Sequence, residues 1–218
     1  LWPAAHGMPD AFGLTFAAVI ALLCADYRFE TLPWPRLLAI FAATFALILT
    51  RRWYMFWILA FYAVYVLAVL VGAVRRKTLG STLKHMLLFG VPSAVIIVGA
   101  LLPTFKTILT TDYADIYGAY YGGGFGNNCL GQLRNQGLIW LVLCAAGLVW
   151  LLYCRSTRAQ AIVAAAASLG AMVLFTRTQS LGDHQSLILA PFYLLMLFGL
   201  CAKLTQQKAK PWLRNAAA

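Results

Sequence analysis

The sequence predicts an all-α, polytopic integral membrane protein with about seven transmembrane helices. Hydrophobic residues make up 62% of its 218 residues, charged residues only 11%, and its mean hydropathy is +0.79. In soluble domains about a quarter of the residues are charged, so the composition argues against a soluble fold. Only helices satisfy their own backbone hydrogen bonds in lipid. Residues 1–218 are therefore expected to form a single membrane domain of helical spans.

Seven apolar runs mark the expected spans. They lie at about 11–25, 37–50, 53–74, 86–105, 138–154, 159–176 and 187–202. Several are short, which snorkelling of polar flanking residues or local thinning of the bilayer accommodates. The sixth run is rich in alanine, and small residues let helices approach closely. It is predicted to be a packing helix with no site of its own.

The distribution of basic residues predicts the orientation. If the loops at 26–36, 75–85 and 155–158 and the tail from 203 lie on one side, that side holds twelve of the seventeen basic residues. Cytoplasmic loops are rich in Lys and Arg, so the N-terminus is expected outside and the C-terminus in the cytoplasm. The net charge of +11 is thus explained by orientation, and nucleic acid is not expected as a partner.

Two polar segments on the outer side are candidates for binding. Arg51 and Arg52 lie between the second and third runs, beside Trp53, Tyr54 and Trp57. They are either interfacial anchors within an aromatic belt or an anion-binding pair. The segment 177–185 could bind phosphate through Arg177 and hydroxyls through Gln179 and Gln185, and move protons through Asp183 and His184. The alternative for this segment is a solvated turn.

The third outer segment is the long loop at 106–137. Asp112 and Asp115 are weak candidates for a base or a metal ligand, and Tyr117 for stacking on a sugar ring or resting at the lipid interface. The first half of the loop could form a short interfacial helix, whereas the glycines and asparagines at 122–128 favour turns. A loop of this length is usually functional or disordered.

Other sites are not supported by the sequence. The five cysteines form no disulfide framework and no Cys-x-x-Cys motif. The three histidines lie near different span boundaries. The glycines at 122–126 are not followed by the Lys-Ser/Thr of a Walker loop. The six acidic residues lie near or outside the span boundaries, so they do not indicate an ion pathway. Transport of a lipid-linked substrate is therefore a weaker hypothesis.

Four segments carry a resemblance to a known class. HGMPD precedes the first span, RRWYMFW joins two spans, DYADIYGAYY lies in the long loop, and RTQSLGDHQSLILAP leads into the last span. Together they resemble bacterial membrane proteins related to the dolichyl-phosphate-mannose-dependent protein mannosyltransferases, within the GT-C glycosyltransferases. The resemblance implies an inverting transfer from a polyprenyl-phosphate sugar on the outer face of the bacterial inner (plasma) membrane, often with a divalent metal as cofactor.

In that superfamily the catalytic Asp lies in the first outer loop, near the N-terminus. This chain begins Leu1-Trp2-Pro3 without an initiator Met, so we expect a fragment that starts after that loop. The leading hypothesis is a glycosyltransferase or its membrane half, with no metal ligand assigned. Its substrate-binding residues are Arg51, Arg52, Tyr117, Arg177, Gln179 and Gln185. The alternative is a non-catalytic membrane subunit or scaffold with membrane protein partners.

Overall fold

The computed structural model describes residues 8–50, 53–103, 106, 124–176 and 185–208, and within these ranges it contains helices and no strands. We number the helices α1 Met8–Leu23, α2 Trp34–Thr50, α3 Tyr54–Arg76, α4 Leu79–Ala100, α5 Gly124–Gln136, α6 Leu138–Tyr153, α7 Arg158–Thr176 and α8 Ala190–Lys208. Two short 3-10 helices lie at Phe29–Thr31 and Gln185–Leu189. The prediction of an all-α chain is confirmed for these residues.

Three of the described helices are long and apolar enough to cross a membrane, namely α3, α4 and α7. A fourth span results if α5 and α6, which are bent by 105° at their junction, are taken together. The helices at 10–23, 34–50 and 186–201 are apolar but shorter. The described part of the chain thus has three or four helices whose length and composition would allow them to span a membrane.

Helix α5 differs from the sequence-based prediction. The glycines and asparagines at 122–128 predicted turns, yet a helix begins at Gly124, whose φ is +80°. Gly137, with a φ of +82°, separates α5 from α6. An L-residue with a side chain is disfavoured at this φ, so Gly137 permits the sharp bend. The helix forms because its amide side chains make hydrogen bonds to distant parts of the folded chain. Local helix propensity does not include such contacts.

Helices α3 and α7 form the most extensive helix pair, and they run antiparallel. The rings of Phe56 and Phe175 lie 5.3 Å apart near one end, and a Cβ added to Gly170 would lie 3.2 Å from the Cβ of Ala60. The alanines that α7 buries are Ala161, Ala164, Ala167 and Ala171. The prediction that this run is a packing helix is confirmed.

Helix α4 is the most exposed of the long helices. Thr82 is its one buried residue, and the 18-residue window that passes the spanning test is 0% buried. Its aromatic contacts are made by Phe89, which lies 6.5 Å from Phe29 and 6.2 Å from Trp34 between ring centroids. Most of its apolar surface is therefore left to lipid or to another protein.

The helix ends form two groups at opposite ends of the bundle. At the Glu30 end, the connection at 24–33 meets the end of α3 and the start of α4, because Glu30 binds Arg76, Thr78 and Thr82. At the Asp10 end, the start of α1 meets the start of α3 through Asp10 and Trp53. These two names are used below for the two ends.

Candidate functional site at the Asp10 end

The residues predicted from sequence to form the site lie almost entirely outside the described part of the chain. These are Arg51, Arg52, Asp112, Asp115, Tyr117, Arg177, Gln179, Asp183 and His184. Gln185 begins the second 3-10 helix, and its backbone alone is described. The roles given to these residues therefore stay predictions.

Described residues that border two of the polar segments, those with Arg51 and Arg52 and with Arg177, lie at the Asp10 end. Trp53 follows Arg52, and its Nε1 donates to Asp10 Oδ1 at 3.1 Å. Thr176 precedes the segment at 177–184, and its Oγ1 accepts from Asn128 Nδ2 at 2.6 Å. Ser186 follows the same segment, and its Oγ accepts from Gln136 Nε2 at 3.3 Å. The second 3-10 helix contacts α1, α3, α7 and α8, which joins these contacts into one region.

Asp10 is a buried acid at this end of the bundle. It is 1% exposed, and besides the bond from Trp53 its backbone oxygen accepts from the hydroxyl of Tyr54 at 2.9 Å. Gly13 is required beneath that ring, since a Cβ there would overlap Tyr54. Buried carboxylates are rare in proteins unless they have partners. Specific contacts thus hold Asp10 in a buried position at this end.

The aromatic residues after Arg52 are core residues. Tyr54 and Trp57 are 0% exposed, so the aromatic-belt interpretation is wrong for these two. The ring of Trp57 stacks on Phe61 at 4.7 Å and on Phe192 at 5.7 Å between centroids. These contacts fix the start of α3 against α8 beneath the polar residues.

Helix α5 directs an amide face toward the bundle. Asn128, Gln132 and Gln136 are spaced by four residues, so they lie on one face of the helix. Asn128 and Gln132 are 2% and 3% exposed. Gln132 Oε1 accepts from the hydroxyl of Tyr193 on α8 at 3.4 Å, whereas its buried Nε2 has no hydrogen-bond partner among the described residues.

The opposite face of α5 is partly apolar and exposed. Leu130 and Leu133 are 52% and 39% exposed, and Arg134 is exposed beside them. A helix of a soluble protein does the reverse and buries its apolar face. This arrangement suits a helix in the interfacial layer of a membrane, with apolar side chains toward lipid.

The Glu30 end has a polar cluster of a different kind. Glu30 lies 3.2 Å from Arg76 Nη2 and accepts from the hydroxyls of Thr78 and Thr82 at 3.2 and 3.0 Å. Burial raises the pKa of Glu30, but hydrogen bonds from its own backbone, Thr82 and Thr78 and the charge of Arg76 outweigh burial, so the pKa is lowered overall. A carboxylate with this set of partners has a structural role, because it joins three segments of the chain.

An apolar cavity of about 250 Å³ lies between α1, α3, α7 and α8. Phe61, Phe192 and Phe198 are among its walls, and Tyr27 and Gln160 bring polar atoms to it. It is suited to a hydrocarbon chain and offers few groups for chemistry.

The Asp10 end therefore combines one buried carboxylate with neutral amides and hydroxyls. Such groups bind and orient a ligand through hydrogen bonds, and a carboxylate can also accept a proton. Within the described residues no three His, Cys, Asp or Glu side chains lie together as a metal site.

Comparison of the chain with protein-family models, with curated proteins and with solved structures gives no match.

Sequence reasoning missed the residues that the structure brings together at this end. Asp10 is part of the HGMPD segment, and an acid at a span boundary on the same side as Arg51 and Arg52 was the available signal. Asn128, Gln132 and Gln136 were interpreted as loop residues. Their spacing of four was the available signal, but the neighbouring glycines obscured it.

Proposed function

We propose that this chain is a polyprenyl-phosphate-sugar-dependent glycosyltransferase of the GT-C type, or the membrane half of one. It acts at the Asp10 end of its helix bundle, on the extracytoplasmic face of the bacterial inner membrane. The chain crosses this membrane about seven times. The observation that carries the proposal is the meeting of the borders of the arginine-bearing segments with the buried Asp10 at one end.

Charge supports this orientation. The described loops and turns at the Glu30 end carry Arg28, Lys77 and Arg155, and the last turn of α3 carries Arg75. Lys and Arg are favoured in cytoplasmic loops, so the Glu30 end is the cytoplasmic one and the Asp10 end faces outward. A lipid-linked sugar presented on the outer leaflet then meets the Asp10 end.

The proposed roles follow from the chemistry of each group. Arg51, Arg52 and Arg177 bind the donor phosphate, since guanidinium groups match phosphate oxygens in a bidentate way. Asp10, buried beside Trp53 and Tyr54, orients this end and is the described carboxylate that contacts Trp53, the residue that follows Arg52. The apolar cavity between α1, α3, α7 and α8 is suited to part of the hydrocarbon chain.

The first experiment measures binding of farnesyl phosphate to the chain in lipid nanodiscs, with farnesol as the uncharged comparison. Arg52→Gln and Arg177→Gln are each expected to weaken binding of farnesyl phosphate at least about tenfold, because hydrogen bonds to charged groups contribute on the order of 1.5–3 kcal/mol. Binding of farnesol should change little.

The matched control is Arg155→Gln, an exposed arginine at the Glu30 end, which is expected to bind like the wild type. Equal binding of farnesyl phosphate and farnesol, or equal weakening by all three substitutions, contradicts the proposal. Transfer of a radiolabelled sugar from polyprenyl phosphate in membranes that contain the chain then tests the reaction itself.

The exposed face of α4 favours a second function, that of a non-catalytic membrane subunit. Leu87, Val91 and Val95 are 62%, 53% and 65% exposed, and the window of the helix that passes the spanning test is 0% buried. A partner protein that covers this face is expected to co-purify in stoichiometric amount. A chain that binds no lipid phosphate but has such a partner belongs to this second class.

A further inference from the structure

The side-chain nitrogen of Gln132 is a buried hydrogen-bond donor. The residue is 3% exposed, and within the described part of the chain its Nε2 has no hydrogen-bond partner. An unpaired buried donor is costly, and folded proteins keep few of them. The Nε2 of Gln132 is thus available to donate a hydrogen bond to an oxygen atom of a ligand.

The groups around Gln132 are neutral and rich in oxygen and amide nitrogen. Asn128 and Gln136 lie one turn away on the same face of α5, and they bind Thr176 and Ser186 respectively. The hydroxyl of Tyr193 approaches from α8. Amides and hydroxyls both donate and accept, which matches the hydroxyl groups of a sugar, whereas phosphate recognition favours arginine.

The hydrogen bonds differ in length along α5. Asn128 to Thr176 is short at 2.6 Å, whereas Gln136 to Ser186 and Tyr193 to Gln132 are 3.3 and 3.4 Å. The two longer bonds lie beyond the usual range for their donors. A ligand that inserts there exchanges weak bonds for stronger ones, while Asn128 keeps the start of α5 in place.

We propose that Asn128, Gln132 and Gln136, with Ser186 and Tyr193, form a binding site for the hydroxyl groups of a neutral sugar, and that Gln132 Nε2 donates to it. The inference rests on the proposed function and assigns the sugar end of the lipid-linked donor to this cluster. The apolar outer face of α5, with Leu130 and Leu133, puts the proposed site beside the lipid from which such a donor arrives.

The test measures binding of butyl glycosides of mannose, glucose, galactose and arabinose to the chain in nanodiscs by calorimetry. At least one glycoside is expected to bind the wild type, and Gln132→Leu is expected to weaken it about tenfold, the loss of roughly one hydrogen bond. Asn135→Leu is the matched control, since Asn135 lies exposed on the same helix. It should bind like the wild type.

Thermal unfolding separates a binding role from a structural one. Leucine removes an unpaired buried donor but also the Oε1 that accepts the long 3.4 Å bond from Tyr193, so Gln132→Leu is expected to melt near the temperature of the wild type. A lower melting temperature with unchanged glycoside binding overturns the proposal, and so does a wild type that binds none of the glycosides. If the leucine variant does not fold, Gln132→Met, of similar length and volume, replaces it with the same expected outcomes.

The two proposals fail in different ways. Glycoside binding that depends on Gln132, without any farnesyl phosphate binding or sugar transfer, refutes the glycosyltransferase and keeps the sugar site. Sugar transfer that Gln132→Leu leaves unchanged, with glycoside binding also unchanged, refutes the sugar site and keeps the glycosyltransferase.

Discussion

At the scale of single residues, Glu30 shows how one carboxylate connects distant parts of a membrane protein. Its two carboxylate oxygens accept hydrogen bonds from Arg76 of α3, Thr78 of the turn and Thr82 of α4. Glu30 is also part of the connection between α1 and α2. The removal of its charge therefore weakens several contacts at once.

We expect Glu30→Gln to lower the free energy of unfolding at neutral pH by about 1–3 kcal/mol, because it leaves the Arg76 guanidinium without its ion pair. The pKa of Glu30 is lowered in the folded chain, so its stabilisation is present above the ordinary pKa of a glutamate and is lost as the pH falls through the lowered value. The difference between wild type and variant should thus shrink from neutral pH toward about pH 3.

The measurement is thermal unfolding of both proteins in detergent across that pH range. Asp26→Asn serves as the control, since Asp26 accepts a bond from the amide of Arg28 in an exposed turn. A constant difference across the pH range would show that the charge of Glu30 is not the source of the effect.

At the scale of helices, glycines set how closely α6 and α8 approach. A Cβ added to Gly147 would overlap the backbone oxygen of Met196, and one added to Gly199 would lie 2.5 Å from the Leu151 side chain. Small residues at helix contacts are typical of membrane bundles. The α6 and α8 pair therefore depends on these two positions.

Gly147→Ala is expected to destabilise the protein by about 1–3 kcal/mol, because the methyl group forces apart the backbones of α6 and α8. Gly90→Ala on α4 is the matched control, since a Cβ there meets no atom within 4 Å. That change should be neutral or should stabilise by up to about 1 kcal/mol through helix propensity. Thermal unfolding of the two variants side by side tests the contact, and equal stabilities would contradict it.

At the scale of the whole molecule, the two ends carry different groups. The Glu30 end has the larger share of the described positive charge, and the Asp10 end has the buried acid and the amides of α5. In the orientation proposed above, which follows the preference of Lys and Arg for cytoplasmic loops, the Asp10 end faces outward. Exposed residues at each end make that orientation measurable.

We expect a membrane-impermeant maleimide to label Cys129, exposed on α5, in intact cells. A cysteine introduced by Lys84→Cys, in a chain with Cys129→Ser, should be labelled after the membrane is permeabilised, because Lys84 is exposed near the Glu30 end. Both chains carry Cys154→Ser and Cys201→Ser to remove the other accessible thiols. The reverse pattern of labelling would invert the proposed orientation and move the Asp10 end to the cytoplasm.

The sequence by itself determined that this chain is helical, and it located most of the helices. All seven apolar runs overlap a described helix, and the alanine-rich run packs as predicted, because hydropathy and residue size act locally. Helix α5 was missed, since its buried amides depend on Thr176, Ser186 and Tyr193, which are distant in sequence.

The candidate site divides in the same way. Arg51, Arg52 and Arg177 were predicted from the sequence, because charged residues at the ends of apolar runs can be recognised without a structure. That Asp10 meets Trp53, and that Gln132 is buried with an unpaired donor, was decided by the tertiary structure alone. Burial and hydrogen-bond partners arise when helices pack, and packing joins residues that the order of the chain keeps apart.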